Sequence, residues 1–86
     1  MPEISRFFGI IIAMYYNDHE PPHFHARYGS FKAKIYIDPP ALWEGNLPPR
    51  ALGMVIEWAT LHREELQENF RAIMERRPTQ KIDPLR

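Results

Sequence analysis

The chain has no cysteine, which excludes a disulfide framework and any zinc site built on thiolates. It has no net charge either, since eleven Lys and Arg balance eleven Asp and Glu. No global field therefore draws it to nucleic acid or to a membrane, and any electrostatic attraction has to come from local asymmetry. Long apolar runs are also missing. Phe7 to Tyr16 is apolar for about ten residues, too few to span a bilayer. No strongly basic region precedes that run and no small-residue cleavage site follows it, so no signal peptide is read and a cytoplasmic location is expected.

What the chain does have is proline, nine in 86 residues. Pro21-Pro22, Pro39-Pro40 and Pro48-Pro49 punctuate the sequence between candidate elements. Apolar residues make up 44%, with eleven Phe, Tyr and Trp, enough for a core. A domain this small buries only about 60% of the surface of its unfolded chain, so a homodimer or an obligate partner contact is expected. Residues 1–78 are read as one domain and 79–86 as a tail that Ile82 and Leu85 could anchor.

The most informative stretch is His19 to Asp38, HEPPHFHARYGSFKAKIYID. Gly29-Ser30 suits a two-residue II′ turn, with glycine supplying φ > 0 at the first central position. Counting outward, Tyr28 faces Phe31, Ala26 faces Ala33 and Phe24 faces Ile35. The alternate pairs are Arg27 with Lys32, His25 with Lys34 and His23 with Tyr36. One face is apolar and the other is cationic, so a slip of one residue would set charges against the apolar face and the register is well specified.

Arg6 to Tyr16 is rich in isoleucine and aromatics and reads as a strand apolar on both faces, with Gly9 marking a bulge or a close approach. Ala41 to Asn46 is an edge strand or a loop. Pro48-Pro49 opens a helix. From there to Arg76 the only breaker is Gly53, and Leu52, Val55, Ile56, Ala59, Leu66, Phe70 and Ile73 fall on one stripe. Met54, Trp58 and Leu61 lie outside it and suggest a second apolar side that a neighbouring chain would cover. About 28 helical residues would reach roughly 42 Å. The fold expected is α+β, a small antiparallel meander of three to four strands with one long C-terminal helix on its apolar face.

The polar hairpin face carries the candidate chemistry. Arg27, Lys32 and Lys34 suit phosphate, and His25, then His23 and Tyr36, are the candidates for acid–base work on a phosphodiester. A wet sheet face with spectator histidines is the plain alternative. His19, His23 and His25 could instead converge on a metal, but Arg27 and Lys34 beside them oppose a divalent cation, and no metal or cofactor is expected. His62 reads as packing or surface, and Trp43 and Trp58 as core or interface anchors.

Arg6-Phe7-Phe8-Gly9-Ile10, the string Asp18-His-Glu-Pro-Pro-His-Phe-His-Ala26, Tyr28-Gly29, Leu47-Pro48, Glu57-Trp58 and Leu61 to Leu66 resemble a family of small bacterial proteins, domain of unknown function 4160. The resemblance covers almost the whole chain. It implies a gene neighbour encoding a second small protein, in the manner of toxin–antitoxin pairs, and assigns no catalytic residue. The expectation is a nucleic-acid-directed module, a metal-independent endoribonuclease of a toxin–antitoxin pair, with RNA and a cognate small protein as partners. The alternatives are a non-catalytic protein–protein interaction module and a histidine-based metal-binding protein.

Overall fold

The structure, a computed structural model, describes residues 3–86. Five strands are followed by two helices: β1 Glu3–Phe7, β2 Ile10–Ala13, β3 His23–Tyr28, β4 Phe31–Ile37, β5 Pro40–Gly45, α1 Pro49–Leu61 and α2 Arg63–Met74. The strands form one antiparallel meander in sequence order. The helices cover its apolar face, where Ile10, Ile12, Phe24, Ala26, Ile35 and Ile37 meet Val55, Trp58, Leu66, Phe70 and Ile73 in one buried cluster.

The β3–β4 register is the one expected from the pairing argument: His23 with Tyr36, His25 with Lys34, Arg27 with Lys32, and Tyr28 with Phe31. Gly29 takes φ +59° while Ser30 does not enter the left-handed region, as a II′ turn requires. Phe24 and Ala26 are buried whereas Arg27 is exposed, so the alternation of the sequence becomes an inside and an outside.

Three expectations change. Arg6 to Tyr16 is not one strand. Phe8 (φ 49°) and Gly9 (φ 83°) form a tight turn with both central residues left-handed, and β1 folds back on β2 with Phe7 opposite Ile10. Phe8 is turned out, 61% exposed. With β5 also paired, through a bulge between Lys34 and Ile35, the sheet has five strands rather than three or four. Pro40 is tolerated as the first residue of this edge strand, where a missing ladder donor costs little.

The single long helix is two helices. His62 leaves helical geometry (φ −117°, ψ 28°) and serves as the C-cap of α1 and the N-cap of α2. Its Nδ1 hydrogen-bonds Glu65 at 2.6 Å, and Glu64 and Glu65 place negative charge at the positive end of α2. A rod of roughly 42 Å would overhang a fold whose longest dimension is 33 Å. The break folds α2 back over β3 and β4.

The third change concerns what covers Trp58. Its ring packs against Phe7 at 5.3 Å and Phe24 at 5.9 Å, its Nε1–H donates to the Asp83 carbonyl at 2.8 Å, and it is fully buried. The second apolar side assigned to a neighbouring chain is thus closed, at Trp58, by the chain's own C-terminal segment. That segment is tied down along its length. Asn69 donates to the Gln80 carbonyl and accepts from its N–H, both at 2.8 Å. The Ile82 N–H donates to the Ile4 carbonyl, and Lys81 Nζ donates to the Glu3 carbonyl, again at 2.8 Å. Leu61 is the member of the expected second side that does stay in solvent, 67% exposed. Among the described residues no helix is long and apolar enough to cross a membrane.

Candidate functional site

His23 and His25 are two residues apart on β3, so both imidazoles leave the strand on the same side, with His23, at the start of the strand, also reaching Phe70 of α2. The loop before β3 brings Asp18 to meet them. Asp18 Oδ1 stands 2.9 Å from His25 Nε2 and 3.6 Å from His23 Nε2. Its other oxygen accepts the Tyr15 N–H at 2.9 Å, and the Asp18 N–H returns to the Tyr15 carbonyl at 2.9 Å. Both ends of the aspartate are therefore held by backbone at the exit of β2. The side chains of Asp18 and His23 are 8% and 3% exposed, and that of His25 is 23%.

His23 is fixed from its far side as well. Its Nδ1 lies 2.8 Å from the Pro21 carbonyl. A carbonyl can only accept, so Nδ1 carries the proton and Nε2 faces Asp18. The ring is walled by Trp43 at 5.0 Å, Phe70 at 5.8 Å and His25 at 5.2 Å, while Tyr15 stands edge-on to His25 at 4.6 Å.

Along the hairpin from this cluster runs a cleft of about 290 Å³, lined by Tyr15, His25, Arg27, Lys32, Lys34 and Glu44. Its side-chain charges are three cations and one carboxylate. Lys34 is engaged within it, 3.9 Å from Glu44 and with Nζ 5.1 Å from the Trp43 ring centre. Arg27 and Lys32 make no salt bridge among the described residues.

The expected residues divide accordingly. His25, Arg27, Lys32 and Lys34 share the cleft. Tyr36 does not reach the Asp18 cluster but stacks on Trp43 at 5.2 Å and 16°. His19 lines the same hollow as Asp18, His23 and His25 but is not one of the converging groups; the third member of a metal-capable set is Asp18. Trp43 is neither core nor buried anchor. It sits half-buried on the polar face, because the β5 bulge turns it towards Tyr36 and His23. Tyr15, Trp43 and Glu44 were absent from the sequence-based set, and no local motif marks them. Asp18 lies in the same eight-residue neighbourhood as the histidines, which was the available signal for it.

The fold and the cluster define a small α+β module with a histidine–carboxylate site at one end of a cationic cleft. The chain belongs to the family described as Domain of unknown function (DUF4160), whose model matches residues 9–71, a span that contains Asp18, both strand histidines and the cleft. No curated protein and no solved structure matches the chain.

Proposed function

We propose that this chain is a nucleic-acid-directed module that takes an RNA backbone along the β3–β4 hairpin, with phosphodiester cleavage at the Asp18–His23–His25 end as its activity. The observation that carries this reading is the cleft in which Arg27, Lys32 and Lys34 stand with one carboxylate against them and with two of the cations unpaired. Exposed guanidinium and ammonium groups that make no salt bridge among the described residues, in a row beside a fixed imidazole, suit successive phosphates. Trp43 is a wall of this site rather than a base platform, since Tyr36 and Lys34 already engage its ring.

The test is binding of a fluorescent single-stranded RNA across a salt series. Three cations on phosphates give a slope in log K against log salt of about −2, at about −0.7 per contact, and Arg27→Ala removes about one contact's worth on every sequence alike. Product analysis with Asp18→Asn and His25→Ala then separates cleavage from binding. No salt-dependent binding in the wild type removes this reading.

One observation supports a second reading, a non-catalytic module acting through a cognate small protein or a second copy. Phe8, Tyr28 and Phe31 leave large apolar surface in solvent at the turn end of the sheet, far along β3 from the histidines. Light scattering of the wild type and of Phe8→Asp checks it: a dimer lost in the variant supports it.

A further inference from the structure

The geometry points to a binding site for a borderline divalent transition-metal ion of the Zn²⁺ class, formed by Asp18, His23 and His25. The inference is independent of the RNA reading. A tetrahedral ion with ligand bonds of about 2.0–2.1 Å sets neighbouring ligand atoms roughly 3.3 Å apart. Asp18 Oδ1 stands 2.9 Å from one imidazole nitrogen and 3.6 Å from the other, and one atom from each of the three groups lies within 4.8 Å of the rest. His25, 23% exposed and the most exposed of the three, is the member with room to adjust to coordination distances.

The second observation is the state of His23. The ring is 3% exposed, and its Nδ1 proton is committed to the Pro21 carbonyl. In the neutral ring, Nε2 then carries a lone pair aimed at a carboxylate oxygen 3.6 Å away, an acceptor facing an acceptor with no donor between them. A cation at the meeting point of the three groups resolves that conflict. An imidazole whose other N–H is pinned by a backbone carbonyl is also the arrangement by which metal-ligating histidines are oriented.

Two imidazoles with one carboxylate, and no thiolate, suit Zn²⁺, Co²⁺ or Ni²⁺ rather than Mg²⁺ or Ca²⁺. Three protein ligands leave a coordination position, and the hollow that Asp18, His23 and His25 share with Asn17, Lys34 and Trp43 supplies the access. The objection drawn from fixed positive charge weakens in the structure. Lys34 lines the same hollow but is engaged there by Glu44 and the Trp43 ring, and Arg27 is two residue pairs further along the hairpin, opposite Lys32.

The experiment is titration of untagged, chelator-stripped protein with Co²⁺ and then Zn²⁺. The expected result is one equivalent of Co²⁺ producing visible absorption bands, their loss when Zn²⁺ displaces it, and a thermal midpoint that climbs with Zn²⁺ concentration. Asp18→Asn and His25→Ala, confirmed folded by circular dichroism and cooperative melting, each lose this binding, while His19→Ala keeps it. Absence of bands and of any midpoint shift overturns the site. Binding that survives Asp18→Asn but is lost in His19→Ala overturns the ligand set. No RNA enters the titration, so a chain that binds RNA and takes no metal fails this inference alone.

Discussion

Trp58 and Trp43 occupy two regions that use the same side chain differently. Trp58 is sealed between β1, β3 and the C-terminal segment, with its indole N–H given to the Asp83 carbonyl. Trp43 stands on the opposite face with Tyr36 and Lys34 on its ring and His23 at its edge. Burial of a large aromatic together with its one donor is a stability device. A half-buried aromatic against an imidazole and a lysine is a positioning device, holding groups whose own packing is thin. Substitutions in the first region should therefore act on folding, and those in the second on the site.

The largest effect is expected from Trp58→Ala. It opens a cavity and strands the Asp83 carbonyl, at a cost of about 3–5 kcal/mol, a large share of the ~5–15 kcal/mol that holds a domain together. Urea unfolding measures it, and a loss near zero would break the contrast. Removal of residues 79–86 comes next, at about 2–4 kcal/mol, because it exposes the surface under Ile82, which is 4% exposed, and leaves the Asn69 amide and the Trp58 N–H without partners. A truncated chain of wild-type stability would show that the tail is dispensable.

Gly45→Ala sharpens the comparison from the other side. Gly45 has φ +88°, and a Cβ there would lie 2.3 Å from the Lys32 carbonyl oxygen. The backbone must shift, at about 1–3 kcal/mol, and with it the strand that carries Trp43 and Glu44. RNA or metal binding should fall in this variant while the melt stays cooperative. Trp43→Leu should cost only about 1 kcal/mol yet weaken whichever ligand the site takes, because His23 loses its wall. Equal loss of stability in Trp43→Leu and Trp58→Ala would erase the distinction between the regions.

Glu3→Gln should have the smallest effect. The Arg6 hydrogen bond holds the half-buried Glu3 carboxyl below its ordinary value. A carboxyl lowered in the folded state stabilises fully above its unfolded value, and that contribution is lost as pH falls through the folded one. Screening by solvent keeps it small. The variant should lose this small contribution at neutral pH and match the wild type at pH well below the folded value, so the acid limb of its stability-against-pH curve is slightly flatter.

How much of this was readable in advance differs by element. The β3–β4 register was, because strict period-two alternation on both sides of Gly29-Ser30 leaves one pairing that sets every apolar residue on one face. The turn at Phe8-Gly9 was not, since phenylalanine is an unusual residue at φ 49° and the run reads as continuous strand. The break at His62 has neither glycine nor proline to announce it; it is imposed by the size of the sheet beneath. The tail carries too few apolar residues for periodicity to speak, and its hold on the fold is mostly through backbone carbonyls at Gln80 and Asp83. In the site, the two strand histidines were legible from spacing. Asp18 carries no spacing signal of its own, because its place beside the two imidazoles is set by loop geometry held at the Tyr15 backbone.

The seam between β1 and the tail also bears on the order in which the molecule assembles. The Lys81 contact to Glu3 joins positions 78 apart in the chain, with the Ile82 to Ile4 bond beside it. Closing so long a loop costs more entropy than any hairpin of the meander. The sheet turns and the α1–α2 pair can form from near neighbours, and this contact is made only once they stand. By the same reasoning it is the first to open under native conditions. The Ile82 amide is thus expected to exchange with solvent ahead of the amides of Phe24 and Ile35, baring the Trp58 edge while the histidine face stays intact.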